Sequence, residues 1–285
     1  MKTLMAKALL AAMMALAMGA VSTSAIAFPI FQVTETSVPG TTANTITADR
    51  IIGGYTEVGT FNTAAPCGGT NVCGSFDASI AWNASDYFNG ATSQSNQLGS
   101  LFTQQYGLYA LFQATGNYVT DTLTGKTTFH MAPGGSLGLW IDPLSDTTFA
   151  APGTGSGAWT LGSIADDYMV ASGTPASGTG NLDPTLSTCT GGGINCGSFG
   201  VASWFYLTDY GTAQDGQSYF TSPVPFYNVN FTSGQFDNFS PTGTQTIHGS
   251  LDATFSVPEP ESLALLGIGL LGLAMSRRAR NKQVA

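Results

Sequence analysis

Few residues in this chain could do chemistry, and they are scattered. Gly134-Gly135-Ser136-Leu137-Gly138 fits the G-x-S-x-G pattern of a nucleophile elbow. An elbow needs a strand before the serine and a helix after it. Here Pro133 and the glycines read as a turn, and Leu137 to Ile141 continues as a strand, so Ser136 is not expected to be catalytic. His130 and His248 are the only candidate bases, and His248 falls on the polar side of an alternating segment, where a solvated imidazole is expected. A glycosidase needs two carboxylates across one bond. Fifteen acids between residues 28 and 256 make some pair inevitable, and no motif marks one out. Asp166-Asp167 and Asp142-Pro143-Leu144-Ser145-Asp146 offer loop oxygens suited to calcium, but no EF-hand or Gly-Asp repeat accompanies them. Carboxylates facing water are the expected state, so neither a metal site nor a cofactor is assigned, and the chain is not expected to be an enzyme. Trp82, Trp140, Trp159 and Trp204 are expected to pack in the core, with stacking on sugar rings as the alternative for any that is exposed.

The four cysteines fall in two close pairs, Cys67/Cys73 and Cys189/Cys196. Four cysteines allow three connectivities. In an oxidising compartment the short separations favour two local bridges, each closing a Gly-rich loop and contributing roughly 2.5 kcal/mol. A structural zinc site is the alternative; the usual C-x2-4-C spacing is absent and neither histidine lies nearby in sequence.

The elements that must position these residues read as strands. In Tyr106 to Ala114 the residues Tyr106, Leu108, Ala110, Phe112 and Ala114 share one face. In Thr246 to Val257 the set Ile247, Gly249, Leu251, Ala253, Phe255 and Val257 faces one way, and Thr246, His248, Ser250, Asp252, Thr254 and Ser256 the other. Period-two alternation of this kind is a half-buried strand with a wet side. Shorter candidates are Thr45–Ile52, Tyr55–Phe61, Phe76–Trp82, Thr127–Met131, Leu137–Ile141, Phe199–Leu207 and Phe226–Phe231, separated by Gly, Pro, Asn and Asp clusters. Between the two ends of the chain no segment sustains a helical period. The expected fold is all-β, an antiparallel, jelly-roll-like sandwich forming one domain over residues 28–256. The Gly/Ser/Thr/Pro-rich segments 150–157 and 172–180 are expected to be exposed loops within it. Cys73-Gly74-Ser75-Phe76 recurs as Cys196-Gly197-Ser198-Phe199, and Asp86-Tyr87 as Asp209-Tyr210 at the same offset. The echo is either a duplicated half-domain or chance in a Gly/Ser-rich chain.

Composition limits the partners. Only Arg50 and Lys126 are basic between residues 28 and 256, against fifteen acids, a net charge of −13. Such a surface repels phosphate backbones, which argues against nucleic acid. It suits cations or a neutral polysaccharide. The 17 Phe, 10 Tyr and 4 Trp supply a packed interior despite the low charge content.

Both ends read as addressing segments. Lys2 and Lys7, the apolar run Ala8 to Ala20 and Ala25-Ile26-Ala27 make a secretory signal peptide over residues 1–27, cleaved by signal peptidase between Ala27 and Phe28. Residues 257–285 begin Val257-Pro258-Glu259-Pro260-Glu261, pass through the short apolar stretch Leu263 to Met275, and end in an Arg cluster. The prolines keep the preceding strand from running into a helix. The apolar stretch is shorter than an ordinary span, and the Arg cluster stays cytoplasmic by the positive-inside rule. Bottom-up, this is a transient inner-membrane anchor.

In that order these three parts resemble the PEP-CTERM sorting signal. The resemblance rests on Pro258, Glu259 and Pro260, with Arg277, Arg278 and Arg280 as the stop. It implies recognition and removal by exosortase, a membrane protease of bacteria that make extracellular polysaccharide. Residues 46–58 (ITADRIIGGYTEV), 106–116 (YGLYALFQATG) and 134–143 (GGSLGLWIDP) are similar to the flocculation-associated subfamily of PEP-CTERM proteins. That similarity implies a secreted, cell-surface or matrix protein that holds cells and exopolysaccharide together as floc or biofilm. The alternatives are a secreted carbohydrate-binding module with a defined glycan site and, less favoured, a secreted hydrolase. Mass spectrometry of the extracellular protein should find peptides ending near Pro260; intact Arg277–Ala285 in secreted material would refute removal of the tag.

Overall fold

Alternation of inward apolar and outward polar residues carries most of the chain into antiparallel strands. The computed structural model describes residues 30–99, 105–190, 193, 195–223 and 228–256. The expected signal peptide (1–27, with its expected cleavage residues Ala25, Ala27 and Phe28) and the expected sorting segment (257–285) lie outside them. Among the described residues no helix is long and apolar enough to cross a membrane. In chain order the elements are β1 (Phe31–Thr34), β2 (Thr45–Ala48), β3 (Arg50–Gly68), β4 (Asn71–Asn89), β5 (Thr92–Ser93), β6 (Gly107–Asp121), β7 (Thr127–Met131), β8 (Ser136–Asp142), β9 (Thr148–Ala150), β10 (Thr160–Gly162), β11 (Tyr168–Leu182), β12 (Gly197–Leu207), the one-turn helix α1 (Gly216–Tyr219), β13 (Phe220–Ser222), β14 (Asn228–Phe236) and β15 (Gly243–Ser256).

The main sheet closes on itself. β3 pairs with β4, β4 with β6, β11 with β12, β12 with β14, and β14 with β15. β8 and β7 share the place between β6 and β11: β8 pairs with Gly107–Gln113 and Tyr168–Gly173, β7 with Gly116–Thr120 and Gly178–Leu182. β15 returns to β3, from Gly243 opposite Phe61 to Ala253 opposite Ile51. The result is a barrel with eight strand positions whose neighbours follow chain order. The all-β antiparallel fold is therefore as expected. The two layers of the expected sandwich are opposite walls of one closed sheet, and the strand order is up-and-down instead of jelly-roll-like. Sequence neighbours pair side by side, most tightly where β3 and β4 join through Gly69-Thr70.

Two expected boundaries shift. Thr45–Ile52 divides at Asp49 into β2 and the start of β3, and the expected loop 172–180 is the middle of β11. Its small residues are required by close packing. A Cβ on Gly173 would stand 2.1 Å from the Trp204 carbonyl oxygen, and one on Gly178 3.1 Å from Met131 Cβ. Segment 150–157 is a loop beyond Ala150, as expected.

Aromatic rings fill the lumen. Phe61, Phe76, Tyr118, Phe129 and Phe239 interlock at one end, and Phe31, Phe205, Phe220 and Phe255 at the other. Between them Trp82 lies 2% exposed and donates from Nε1 to the Leu251 carbonyl at 3.2 Å. The indole reaches that carbonyl only across Gly53, where a Cβ would stand 2.6 Å from Nε1. β1, β2 and β13 form a small sheet whose Phe31 and Phe220 pack against the Phe205/Phe255 end. Beside it Glu35, fully buried, accepts hydrogen bonds from Gln97 N and Nε2, Asn44 Nδ2 and Tyr106 Oη at 2.6–3.0 Å. Tyr219 bridges Tyr106 and Tyr87 through their hydroxyls.

A second inward-facing acid lies at the opposite end of the lumen. Glu57 faces inward beside a cavity of about 60 Å³ lined by Tyr55, Phe61, Phe129, Phe199, Phe236 and Phe239. Burial pushes its carboxyl up to about 7. The unfolded chain ionises Glu57 near 4.5 while the fold keeps it protonated to about 7. Its contribution to stability is thus intact below 4.5 and falls as pH rises through this window, by on the order of 2–3 kcal/mol. Denaturant titrations of Glu57→Gln against wild type should coincide near pH 4 and diverge by pH 8, with the variant more stable. Parallel pH profiles would refute the assignment.

Candidate functional site

The outer surface of the barrel has two unlike halves. Over β3, β4 and β6 it is covered. The segment between β8 and β11, residues 143–167, leaves the barrel as an arm carrying the β9–β10 hairpin. Gly155 N donates to Thr60 Oγ1 at 2.8 Å, and Gln113 Nε2 to the Gly157 carbonyl at 2.9 Å. Val58, Ser79 and Ala81 point outward by the alternation yet are buried, as a sheet face beneath a crossing arm must be.

Over β11 and β12 the outer face is open, whereas on β15 Thr254, expected on the wet side of its strand, is buried, with Oγ1 donating to the Asn230 carbonyl at 3.3 Å. Trp204 and Tyr206 lie two residues apart on β12, on one side of the sheet, 51% and 59% exposed. Their rings are roughly 7 Å apart along the strand by strand geometry. Trp204 sits between Thr174 of β11 and Asn228 of β14, and Tyr206 beside Ser172. The next rows toward the other end are Ser177–Ala202–Asn230–Thr254 and Thr179–Gly200–Thr232–Asp252. They continue into a polar concavity of about 1350 Å³ bordered by Thr128, His130, Asn181, Ser198 and Thr232. Two exposed ring faces with hydroxyl and amide groups on either side suit the alternating C–H and O–H faces of a sugar chain. Arg50 stands beside these rows, its Nε 3.7 Å from Asp252 and its Nη1 3.1 Å from Asp49. Burial raises the Asp252 carboxyl above the usual range; the Arg50 charge opposes this and Asp49 adds to it.

At the base of the arm a second constellation forms. Asp142 ends β8, and Asp166 and Asp167 precede β11. One oxygen from each lies within 4.8 Å of the others. Asp167 Oδ2 accepts from Tyr109 Oη at 2.6 Å and Thr147 Oγ1 at 2.9 Å, and Asp142 Oδ2 accepts from Thr147 N at 2.8 Å. Burial lifts the Asp167 carboxyl above the usual range; Tyr109 and Thr147 oppose this, and the Asp142 and Asp166 charges add to it. The Tyr109 phenol is held well above its ordinary value by burial, then by its bond to Asp167. Trp140 stacks on Tyr109 at 5.6 Å, and Phe149 of the arm packs edge-on at 5.1 Å.

Cys67 is bridged to Cys73 and Cys189 to Cys196. Each bridge spans the connection from one strand to the next, β3 to β4 and β11 to β12. The two CGSF copies therefore sit four positions apart round an eight-position ring, on opposite walls. Ser136 is exposed where a glycine turn enters β8, a strand–turn–strand setting without the helix of an elbow. His130 borders the polar concavity, and His248 is exposed with Nδ1 3.3 Å from Asp237. The two acidic segments, far apart in sequence, meet through Asp142, Asp166 and Asp167, while Asp146 stays exposed. Of the four tryptophans, Trp82 is core, Trp140 and Trp159 are half-buried, and Trp204 is on the open face. Sequence reasoning passed over Tyr206, although the spacing Trp204-Phe205-Tyr206 on a strand places both outer rings on one side.

Comparison with known proteins adds the address. Residues 256–278 match the family model described as the PEP-CTERM protein-sorting motif. Pro258, Glu259, Pro260, Arg277 and Arg278 fall inside the match, and Arg280 lies just past it. No curated protein and no solved structure matches the chain. The chain carries a PEP-CTERM sorting signal, which directs export to the cell surface and implies processing by exosortase in the membrane.

Proposed function

We propose that the exported domain is a non-enzymatic cohesion protein of the floc or biofilm matrix, holding exopolysaccharide on the open face of its barrel. The observation that carries the reading is the Trp204–Tyr206 pair, two large rings left in water amid Ser, Thr and Asn on a protein tagged for the cell surface. Burying rings is favourable, so rings kept out of a core rich in aromatics mark a surface that meets a partner. With Arg50 and Lys126 the only cations between residues 28 and 256, an anionic polymer would find little charge pairing. Stacking and neutral hydrogen bonds then supply the attraction. Attachment follows the sorting route: transient anchoring in the inner membrane, exosortase cleavage, and release to the surface matrix.

A carbohydrate-binding module with a defined glycan site is the second reading, and the same exposed rings favour it. A module of that kind saturates with one short oligosaccharide. A cohesion protein retains long polymer and strengthens aggregates.

Trp204→Ala and Tyr206→Ala should each weaken retention of the native exopolysaccharide by about 2- to 12-fold, the range for loss of one aromatic stack. Thermal midpoints should stay near wild type, since both rings are exposed. Unchanged retention in the double variant would refute the face, and normal flocculation in a clean deletion strain would remove the cohesion claim. Glycan turnover lost on changing one acidic pair would establish a hydrolase instead.

A further inference from the structure

The acids at the base of the arm present a problem in electrostatics. Asp142 is 3% exposed, and its Oδ1 is sealed from solvent with no hydrogen-bond donor among the described residues. Asp166 Oδ2 and Asp167 Oδ1 are buried and unpartnered in the same way. Leaving a buried carboxylate oxygen unpaired costs roughly 1–3 kcal/mol or more. Three such groups within 4.8 Å also repel one another. The domain's own cations do not answer them: Lys126 pairs with Asp183 at 2.7 Å, and Arg50 with Asp49 and Asp252.

We propose that Asp142, Asp166 and Asp167 form a calcium site that clasps the arm to the barrel. The donors are all carboxylate oxygens, the hard set calcium prefers. A Ca–O distance of about 2.3–2.6 Å places ligands on a sphere about 5 Å across, and the three oxygens fit within it. The hydrogen bonds already made orient the set: Thr147 N and Oγ1 and Tyr109 Oη each hold one oxygen of a carboxylate and leave the other bare. Asp142 and Asp166 bracket the arm, so one ion ties its two ends. Closing a loop at its base removes chain entropy from the open state, as a cross-link does. The inference stands apart from the glycan reading, because the acids lie under the arm and away from Trp204.

Terbium luminescence on the purified exported protein tests it. Tyr109 bonds Asp167 and stacks on Trp140, so excitation of these rings reports an ion at the site. Wild type should give saturable emission that Ca2+ displaces with an apparent Kd of about 10⁻⁴–10⁻³ M, the range of extracellular modules. Mg2+ at the same concentration should not displace it. Asp166→Asn should weaken binding at least tenfold, and Asp142→Asn should abolish it. Ca2+ should also slow proteolysis between residues 143 and 165 several-fold in wild type but not in Asp166→Asn. Asp166 is only half-buried, so that variant keeps the test valid if Asp142→Asn does not fold. Absence of saturable emission, emission unchanged in Asp166→Asn, or equal competition by Mg2+ would overturn the assignment.

Discussion

The structure depends on the ladder that joins the first barrel strand to the last. β3 and β15 lie about 190 residues apart at their meeting and pair from Gly243 opposite Phe61 to Ala253 opposite Ile51. Without that ladder each would be a long edge with a row of unpaired backbone groups. With it, inward residues from opposite walls can meet, and the aromatic lumen forms. Trp82 shows the linkage: its indole on β4 crosses Gly53 of β3 to the Leu251 carbonyl of β15, so the closing seam also carries a buried side-chain bond. The pairing is non-local, which makes closure a late and slow step of folding in general. The two disulfides act locally, each fixing one connection between successive strands.

Once the lumen is filled, function is left to the outside. The cavity beside Glu57, about 60 Å³, has room for water but not for a sugar. The arm occupies the outer face of β3, β4 and β6. The remaining wall, β11 to β15, is where small outward residues and two exposed rings make a long polar surface. The glycines of β11 serve this division: they let β12 approach closely on the inside while Ser172, Thr174, Ser177 and Thr179 stay in water. On the proposed reading, an acidic surface with few cations holds its polymer by stacking and hydrogen bonding.

Much of this was legible in the sequence because period two is a strong signal. The inward sets Leu108–Ala110–Phe112–Ala114 and Ile247–Leu251–Ala253–Phe255 face the core as their alternation requires. The cysteine pairs are close in sequence, so their bridges needed no long-range information. Closure did, since nothing local in Ile51–Phe61 specifies β15 as a partner. The segment 172–180 read as a loop because its composition reflects packing against Trp204, Met131 and Phe199, which only the tertiary fold supplies. The meeting of Asp142 with Asp166 and Asp167 was hidden for the same reason: each segment alone has the look of a solvated turn. The C-terminal sorting signal was legible in the sequence, because a sorting tag is read as a linear motif.

Amide hydrogen exchange of the exported protein, with and without its native exopolysaccharide, shows whether the open wall bearing Trp204 and Tyr206 is the working surface. Slowed exchange is expected in β11, β12 and β14 alone, strongest around Ser172–Thr174 and Trp204–Tyr206. Protection centred on the arm at 143–167, or no protection at a polymer concentration that retains the protein, would contradict it.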